Sequence, residues 1–445
     1  MTKQHDEVVT HLQALLRLDT RNPPGNENLA ADYLRDVLAR ESIDSVTVGP
    51  SPDRASLITR LRGDGSAPPL LLMSHTDVVA VERDKWTQDP FGGAIVDGFI
   101  YGRGALDMKH MVAMELVTML QLKRRNVRLK RDVIFLAAAD EEVGGRHGAG
   151  WLVDHHPELI RAEYALNEGG GNARVINGVT YYHVQTAEKG VQRFRLRAKG
   201  SPGHGSVPRD DNAIVRLAEI LVRLRNRKLP MHLSATSRAY IQGLAAAQPE
   251  PMRSQFLAIL DPSTCDEAVA SLDLDPSFKR QLHAIICNTV SPTILQAGSQ
   301  ANVIPSLADV VCDGRIVPGQ TPASFLAELR DLFGDDAEIE FITPERCSDP
   351  LEADPSSEML QTIEQVLRER SPGCAVVPKM LAGATDATHI ARLGTKVYGF
   401  APELYTGPDE STRIHGHDER IGVESLKWGA ATLYEVVERF CALNA

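Results

Sequence analysis

His75, Asp77, Asp107, Glu141, Glu142 and Glu168 are residue types that hold metal ions and move protons, and each closes a short apolar run. Ser74-His75-Thr76-Asp77 follows Leu70 to Met73, and Asp107 follows Gly102-Arg103-Gly104-Ala105-Leu106. Asp140-Glu141-Glu142 follows Val133 to Ala139, and Glu168 follows Tyr164 to Asn167. Short apolar runs bounded by glycine and polar residues read as buried strands, and open α/β sheets bind ligands outside the carboxyl ends of their strands. A histidine and several acids gathered there predict a metal centre. Burying Asp77, Asp107, Glu141, Glu142 and Glu168 without compensation would be strongly unfavourable, whereas two divalent cations would nearly balance them. Histidine with carboxylates and no thiolate suits zinc in a catalytic site, with cobalt or manganese able to substitute.

Taken together, the motifs resemble a known family over nearly the whole chain. They are His-x-Asp at 75 to 77, Gly-x-x-Asp-x-Lys at 104 to 109, Glu141-Glu142, Asn167-Glu168-Gly169-Gly170 and His415-Gly416-His417-Asp418-Glu419. The family is that of the co-catalytic dizinc amidohydrolases and exopeptidases, which includes aminoacylase, acetylornithine deacetylase, succinyl-diaminopimelate desuccinylase and glutamate carboxypeptidase. The resemblance implies that Asp107 bridges two metals, that His75 and Glu168 complete one site, and that Glu142 and His415 complete the other. The family pattern of His, two residues, then Asp or Asn and Glu selects His415 over His417. Asp77 would accept the remaining ring N–H of His75 and fix its tautomer. Consecutive residues past a strand end point to different sides, so Glu142 can face a metal while Glu141 serves as general base.

The elements that must position these residues follow from periodicity. Helices are expected over 6–18, 28–40, 109–123 and 148–155, with strands near 45–48 and 56–62; the breaker Asn22-Pro23-Pro24-Gly25 separates the first two helices. Helices alternating with ligand-bearing strands predict an α/β domain built on a mainly parallel sheet covered by helices. From about residue 188 the order becomes strand 191–198, helix 213–225, a long insert, strands 293–296 and 309–315, helix 323–332 and strand 337–342, which is the ferredoxin-like plan. The expected division is therefore 1–187 catalytic, 188–347 an inserted ferredoxin-like lid with an extra, mainly helical segment at about 230–288, and 348–445 catalytic again, ending in a helix over 424–441. The resemblance makes the lid a dimerisation domain, predicting a homodimer. It also implies that His204, in Ser201-Pro202-Gly203-His204-Gly205, stabilises the oxyanion from the partner subunit. Asn302 would bind the same region, Arg315 would pair with a substrate carboxylate through its guanidinium fork, and Gly383 and Thr385 would offer backbone N–H groups to that carboxylate.

Composition agrees with an enzyme of small molecules. At 445 residues the chain exceeds one hydrophobic core, and 43% hydrophobic content fills two. A net charge of -11 argues against nucleic acid or an anionic membrane as partner. Six scattered cysteines fit reduced thiols, and the polar amino-terminal residues carry no apolar signal core, so a cytoplasmic location is expected. Gly144 to Gly150 is not a dinucleotide loop, because its order is wrong and Asp140-Glu141-Glu142 would repel a pyrophosphate. The expected reaction is hydrolysis of an amide bond next to a free carboxylate in an N-acyl amino acid or short peptide. It would run by attack of metal-bound hydroxide, Glu141 taking the water's proton and delivering it to the leaving amine. A dipeptidase requiring a free amino end, or a non-catalytic amino-acid-binding relative, are the alternatives.

Overall fold

The computed structural model describes residues 2–335, 337–342, 347–407 and 413–443. The chain divides into two compact units, one of Met1–Thr186, Ala353–Lys379 and Thr385–Ala445, the other of Ala187–Glu352 and Met380–Ala384.

In the first unit the strands lie in the order Ser45–Ser51, Arg54–Leu61, Val133–Ala138, Leu70–His75, Tyr164–Asn167, Lys396–Gly399, Val179–Glu188. The four central strands pair in parallel, and the outer ones pair antiparallel. All six residues of Leu70–His75 and of Val133–Ala138 are buried, as strands covered on both faces must be. Register sets His75 beside Ala138 and Leu72 beside Leu166, so these strands end level with one another. The acids that follow them are thereby delivered to one edge. Helices Thr2–Leu16, Lys109–Arg124, Glu358–Arg370 and Val423–Cys441 contribute to the main core. Every residue of the second helix from Lys109 to Leu122 is buried, which explains why it carries no polar stripe.

Asp107 departs from the expected pattern, because it closes a turn and no strand. The preceding strand, Phe99–Tyr101, pairs with Ile95–Val96 and Arg420–Gly422 in a small separate sheet. Chain direction then changes at Gly104, whose φ of +90° favours glycine and where a Cβ would lie 2.8 Å from Val78 Cγ1.

The second unit has strands Phe194–Lys199, Thr289–Ala297, Leu307–Ile316 and Glu338–Phe341, with helices Ala213–Asn226 and Pro322–Phe333. Leu307–Ile316 lies between Thr289–Ala297 and Phe194–Lys199, which pairs on its other side with Glu338–Phe341, all antiparallel. This is the ferredoxin-like order. Its core is Phe194, Leu196, Val310, Cys312, Phe325 and Phe333 with their neighbours. The expected strand 191–198 is interrupted: Gly190–Val191 pairs with Arg315 and Ile316, and regular pairing resumes at Phe194, past Gln192 and Arg193. The insert is helical, with Ala235–Ala246, Met252–Ala258, Cys265–Ser271 and Pro276–Ala284 between the first helix and the second strand.

Candidate metal centre

His75, the last residue of its strand, is 2% exposed and turns its ring toward three acids. Nε2 lies 3.0 Å from Asp107 Oδ1, 3.8 Å from Glu168 Oε1 and 4.0 Å from Glu141 Oε2. The second oxygen of Asp107, Oδ2, is 3.0 Å from His415 Nε2, which is in turn 3.1 Å from Glu142 Oε2. One carboxylate thus stands between two groups of donors. The ligand atoms of His75, Asp107 and Glu142, and those of His75, Glu141 and Glu168, all lie within 4.8 Å of one another. Glu142 Oε1 is buried with no hydrogen-bond partner among the described residues. A buried orphan oxygen in a set of imidazoles and carboxylates fits a divalent cation on either side of Asp107.

The electrostatics are those of crowded acids sharing protons. Burial would raise the Asp107 carboxyl, but hydrogen bonds from His415 and His75 outweigh it and hold the group well below the usual carboxylate range. Hydrogen bonds to Asp107 and then Glu142 push the His415 imidazole up to about 10. Burial opposes the same effect at His75, where bonds to Asp107 and Asp77 prevail and raise it. Glu141 is driven well above the ordinary range, first by burial and then by the Glu168 charge. Cations bound here would replace these protons.

Two acids hold the loops that present the ligands. Glu419 is fully buried; its Oε1 accepts from the N–H of Leu106 (2.7 Å) and Asp107 (3.0 Å), and its Oε2 accepts from Gly104 N–H and the Arg103 guanidinium. Asp77 serves both His75 and the turn that follows the neighbouring strand. His75 Nδ1 lies 3.0 Å from the backbone carbonyl of Asp77 and 3.5 Å from its carboxylate Oδ1. The carboxylate accepts from the backbone N–H of Glu141 and of Glu142, each at 3.1 Å, and from Asn22 Nδ2 at 2.8 Å. The two glutamates begin the turn Glu141–Val143, whose exposed N–H groups Asp77 satisfies. Asn22, Arg54, Asp140 and Glu27 complete this network and were not singled out as site residues by sequence; nothing in their spacing marks them.

His417 is directed elsewhere, to Glu82 at 2.9 Å. Thr385 is buried and its hydroxyl accepts from Asn167 Nδ2 and from Ala387 N–H, so it serves the turn before helix Ala387–Ile390; Gly383 falls in the second unit. Within that unit Gly203–His204 pairs with Val303–Ile304, and Gly205 N–H donates to the Asn302 carbonyl, which brings His204 and Asn302 together. The His204 ring is exposed, with Nδ1 2.7 Å from Ser206 Oγ. Arg315 already has a carboxylate: Nε and Nη2 reach the two oxygens of Asp313 at 2.5 and 3.1 Å.

Comparison with known proteins shows the family and the fold. The model of peptidase family M20/M25/M40 matches residues 71–439. Bovine N-fatty-acyl-amino acid synthase/hydrolase PM20D1 (Bos taurus) is 28% identical over 86% of this chain and 76% of its own length. Aminoacylase-1 of Sus scrofa is 26% identical over 93% of this chain and 90% of its own. Among solved structures, the M20 family metallo-carboxypeptidase Sso-CP2 from Sulfolobus solfataricus superposes with a TM-score of 0.68 at 17% identity, covering 97% of this chain and 99% of that one. The Bacillus subtilis YXEP protein, a dinuclear metal binding peptidase, gives a TM-score of 0.63 at 16% identity with 99% of each chain covered. The family model spans every ligand candidate from His75 to His415, and the chain belongs to peptidase family M20/M25/M40.

Proposed function

We propose that the protein hydrolyses the amide bond next to a free carboxylate in an N-acyl amino acid or short peptide. The observation that carries this reading is the Asp107 carboxylate set between His75 and His415, with Glu141 beside one donor group and Glu142 in the other. His75, Asp107 and Glu168 would hold one cation, and Asp107, Glu142 and His415 the other. Zinc is favoured by the thiolate-free donor set, with cobalt or manganese as substitutes. When bound, the pair supplies polarisation of the scissile carbonyl and acidification of the attacking water. Glu141, 4.0 Å from the His75 ring, would take the proton of that water and deliver it to the leaving nitrogen.

The names of the bovine synthase/hydrolase and of the porcine aminoacylase support an N-acyl amino acid as substrate. Arg315 and the Gly383 to Thr385 turn are assigned to the substrate carboxylate, and His204 with Asn302 to the oxyanion, from a second copy of the chain. The edge strand Thr289–Ala297 leaves two apolar side chains, Ile294 and Leu295, 53% and 62% exposed, and this pair supports contact between two lids. Six unpaired thiols support a reducing, cytoplasmic setting.

The test is a panel of N-acyl amino acids and dipeptides, each with free and amidated carboxyl ends, assayed with metal analysis on two variants. Glu141→Ala should keep both metals and lose turnover by on the order of a hundredfold or more. Asp107→Ala should lose metal as well. Near-normal turnover by Glu141→Ala would remove it from the proton-transfer role.

A further inference from the structure

Glu141 leaves the sheet through an unusual residue. Asp140, which precedes it, has φ of +75°, a left-handed conformation that a residue with a side chain adopts at a cost. That conformation aims the following turn, and it is held from three sides. His147 N–H donates to Asp140 Oδ2 at 2.7 Å, Asn22 Nδ2 reaches Oδ1 at 3.2 Å, and the Arg54 guanidinium is bonded to the same Oδ1.

Arg54 links the parts of this network. Its Nη1 donates to Asn22 Oδ1 (3.2 Å) and to the Pro24 carbonyl (2.9 Å), and its Nε lies 3.2 Å from Glu27 Oε2. Glu27 is fully buried, and its other oxygen accepts from the backbone N–H of Asp140 at 3.2 Å. Asn22, fixed by Arg54, turns its amide nitrogen to both Asp140 and Asp77, and Asp77 holds the N–H groups of Glu141 and Glu142. The guanidinium therefore reaches the glutamates along two routes, through Asp140 and through Asn22 and Asp77. The side chain is 16% exposed between acids 0% and 2% exposed, so its charge is strongly coupled to theirs. Gly25 leaves room for it: a Cβ there would fall 2.6 Å from Arg54 Cδ. The breaker Asn22-Pro23-Pro24-Gly25 thus carries part of the site in addition to separating two helices.

We infer that Arg54 is a positioning residue for Glu141, acting through Asp140 and through Asn22 and Asp77 on the turn that presents the proton-transferring carboxylate. It touches no candidate ligand. The inference rests on the proposed role of Glu141 and deepens it, since a displacement of about 1 Å at a reacting group lowers rate by on the order of a hundredfold while substrate binding is nearly kept.

Arg54→Met should lower kcat roughly ten- to a hundredfold with KM within about twofold, measured at saturating metal on the full chain. Arg54→Lys, which keeps the charge but loses the fork, should fall between. The decisive measurement repeats the substitution in the Glu141→Ala protein. If Arg54 acts through Glu141, the double variant has the residual kcat of Glu141→Ala alone; a further fall as large as in the parent overturns the inference. Unchanged kcat in Arg54→Met also overturns it. Should Arg54→Met fail to fold, Asn22→Ala runs the same cycle with the same outcomes. Near-normal turnover in Glu141→Ala would instead remove the base assignment itself, which separates that failure from an additive Arg54.

Discussion

Glu115, bonded to the residue before His75, shows how a single buried carboxyl makes the stability of the fold depend on pH. Ser74 precedes His75 and donates its hydroxyl to Glu115 Oε2 at 2.5 Å, while Glu115 Oε1 is buried without a hydrogen-bond partner among the described residues. Burial raises this carboxyl well above its ordinary 4.5, more than the Ser74 bond lowers it. The folded protein therefore holds a proton that the unfolded chain releases above that value, so the group's contribution to stability is greatest in acid and is lost as pH rises toward the folded pKa. Glu115→Gln keeps the acceptor and removes the titration. Its unfolding free energy relative to the parent should climb as pH rises above the ordinary carboxyl value of 4.5, with a limiting slope of about 1.4 kcal/mol per pH unit. A difference that does not change with pH would mean Glu115 is ionised in the fold.

At the scale of an element, the strand Leu307–Ile316 alternates buried and partly exposed residues and sets Arg315 and Asp313 on one face, two positions apart. Their bidentate pair satisfies two donors of the Arg315 guanidinium. It also sharpens the test of its role, because Asp313 can either hold the guanidinium for a substrate or satisfy it outright. If Arg315 anchors a carboxylate, Arg315→Ala should reduce kcat/KM for free acids by roughly 2 to 5 kcal/mol and much less for the matching amides. Equal losses on both would make the ion pair structural.

For the whole molecule, the proposed dimer gives a prediction that neither unit alone can satisfy. The ligand candidates all lie in the first unit and His204 in the second. If His204 acts across an interface, inactive Glu141→Ala and inactive His204→Ala chains should regain activity when exchanged into mixed dimers, because one site then combines an intact Glu141 with an intact partner His204. Native mass spectrometry would establish mixing. Mixed dimers as inactive as the separate variants would end the shared-site reading. The exposed Ile294 and Leu295 provide an independent check: Leu295→Glu should yield monomers by size-exclusion chromatography, as a charge on an edge strand blocks pairing.

Local pattern alone determined a good deal of this protein. The apolar runs ending at His75, Ala138 and Asn167 are strands because their continuous hydrophobicity has no other solution than burial on both faces, and the acids after them share an edge because the parallel register aligns those ends. The ferredoxin-like order was equally legible, since period-two and period-3.6 segments alternate in a plan with few topologies. Tertiary structure decided what spacing cannot encode. Asp107 reaches His75 from a turn held by Glu419, more than three hundred residues later, at 2.7 and 3.0 Å. Asp77 serves the Glu141 turn with its carboxylate and His75 with its carbonyl at 3.0 Å and its carboxylate at 3.5 Å, an arrangement set by which donors the fold brings within reach. Arg54, Asn22 and Glu27 become neighbours of Asp140 although each reads locally as a strand end, a breaker or a helix flank. Hydrogen-bond partners across a sheet depend on three-dimensional proximity, and a periodic pattern carries no record of it.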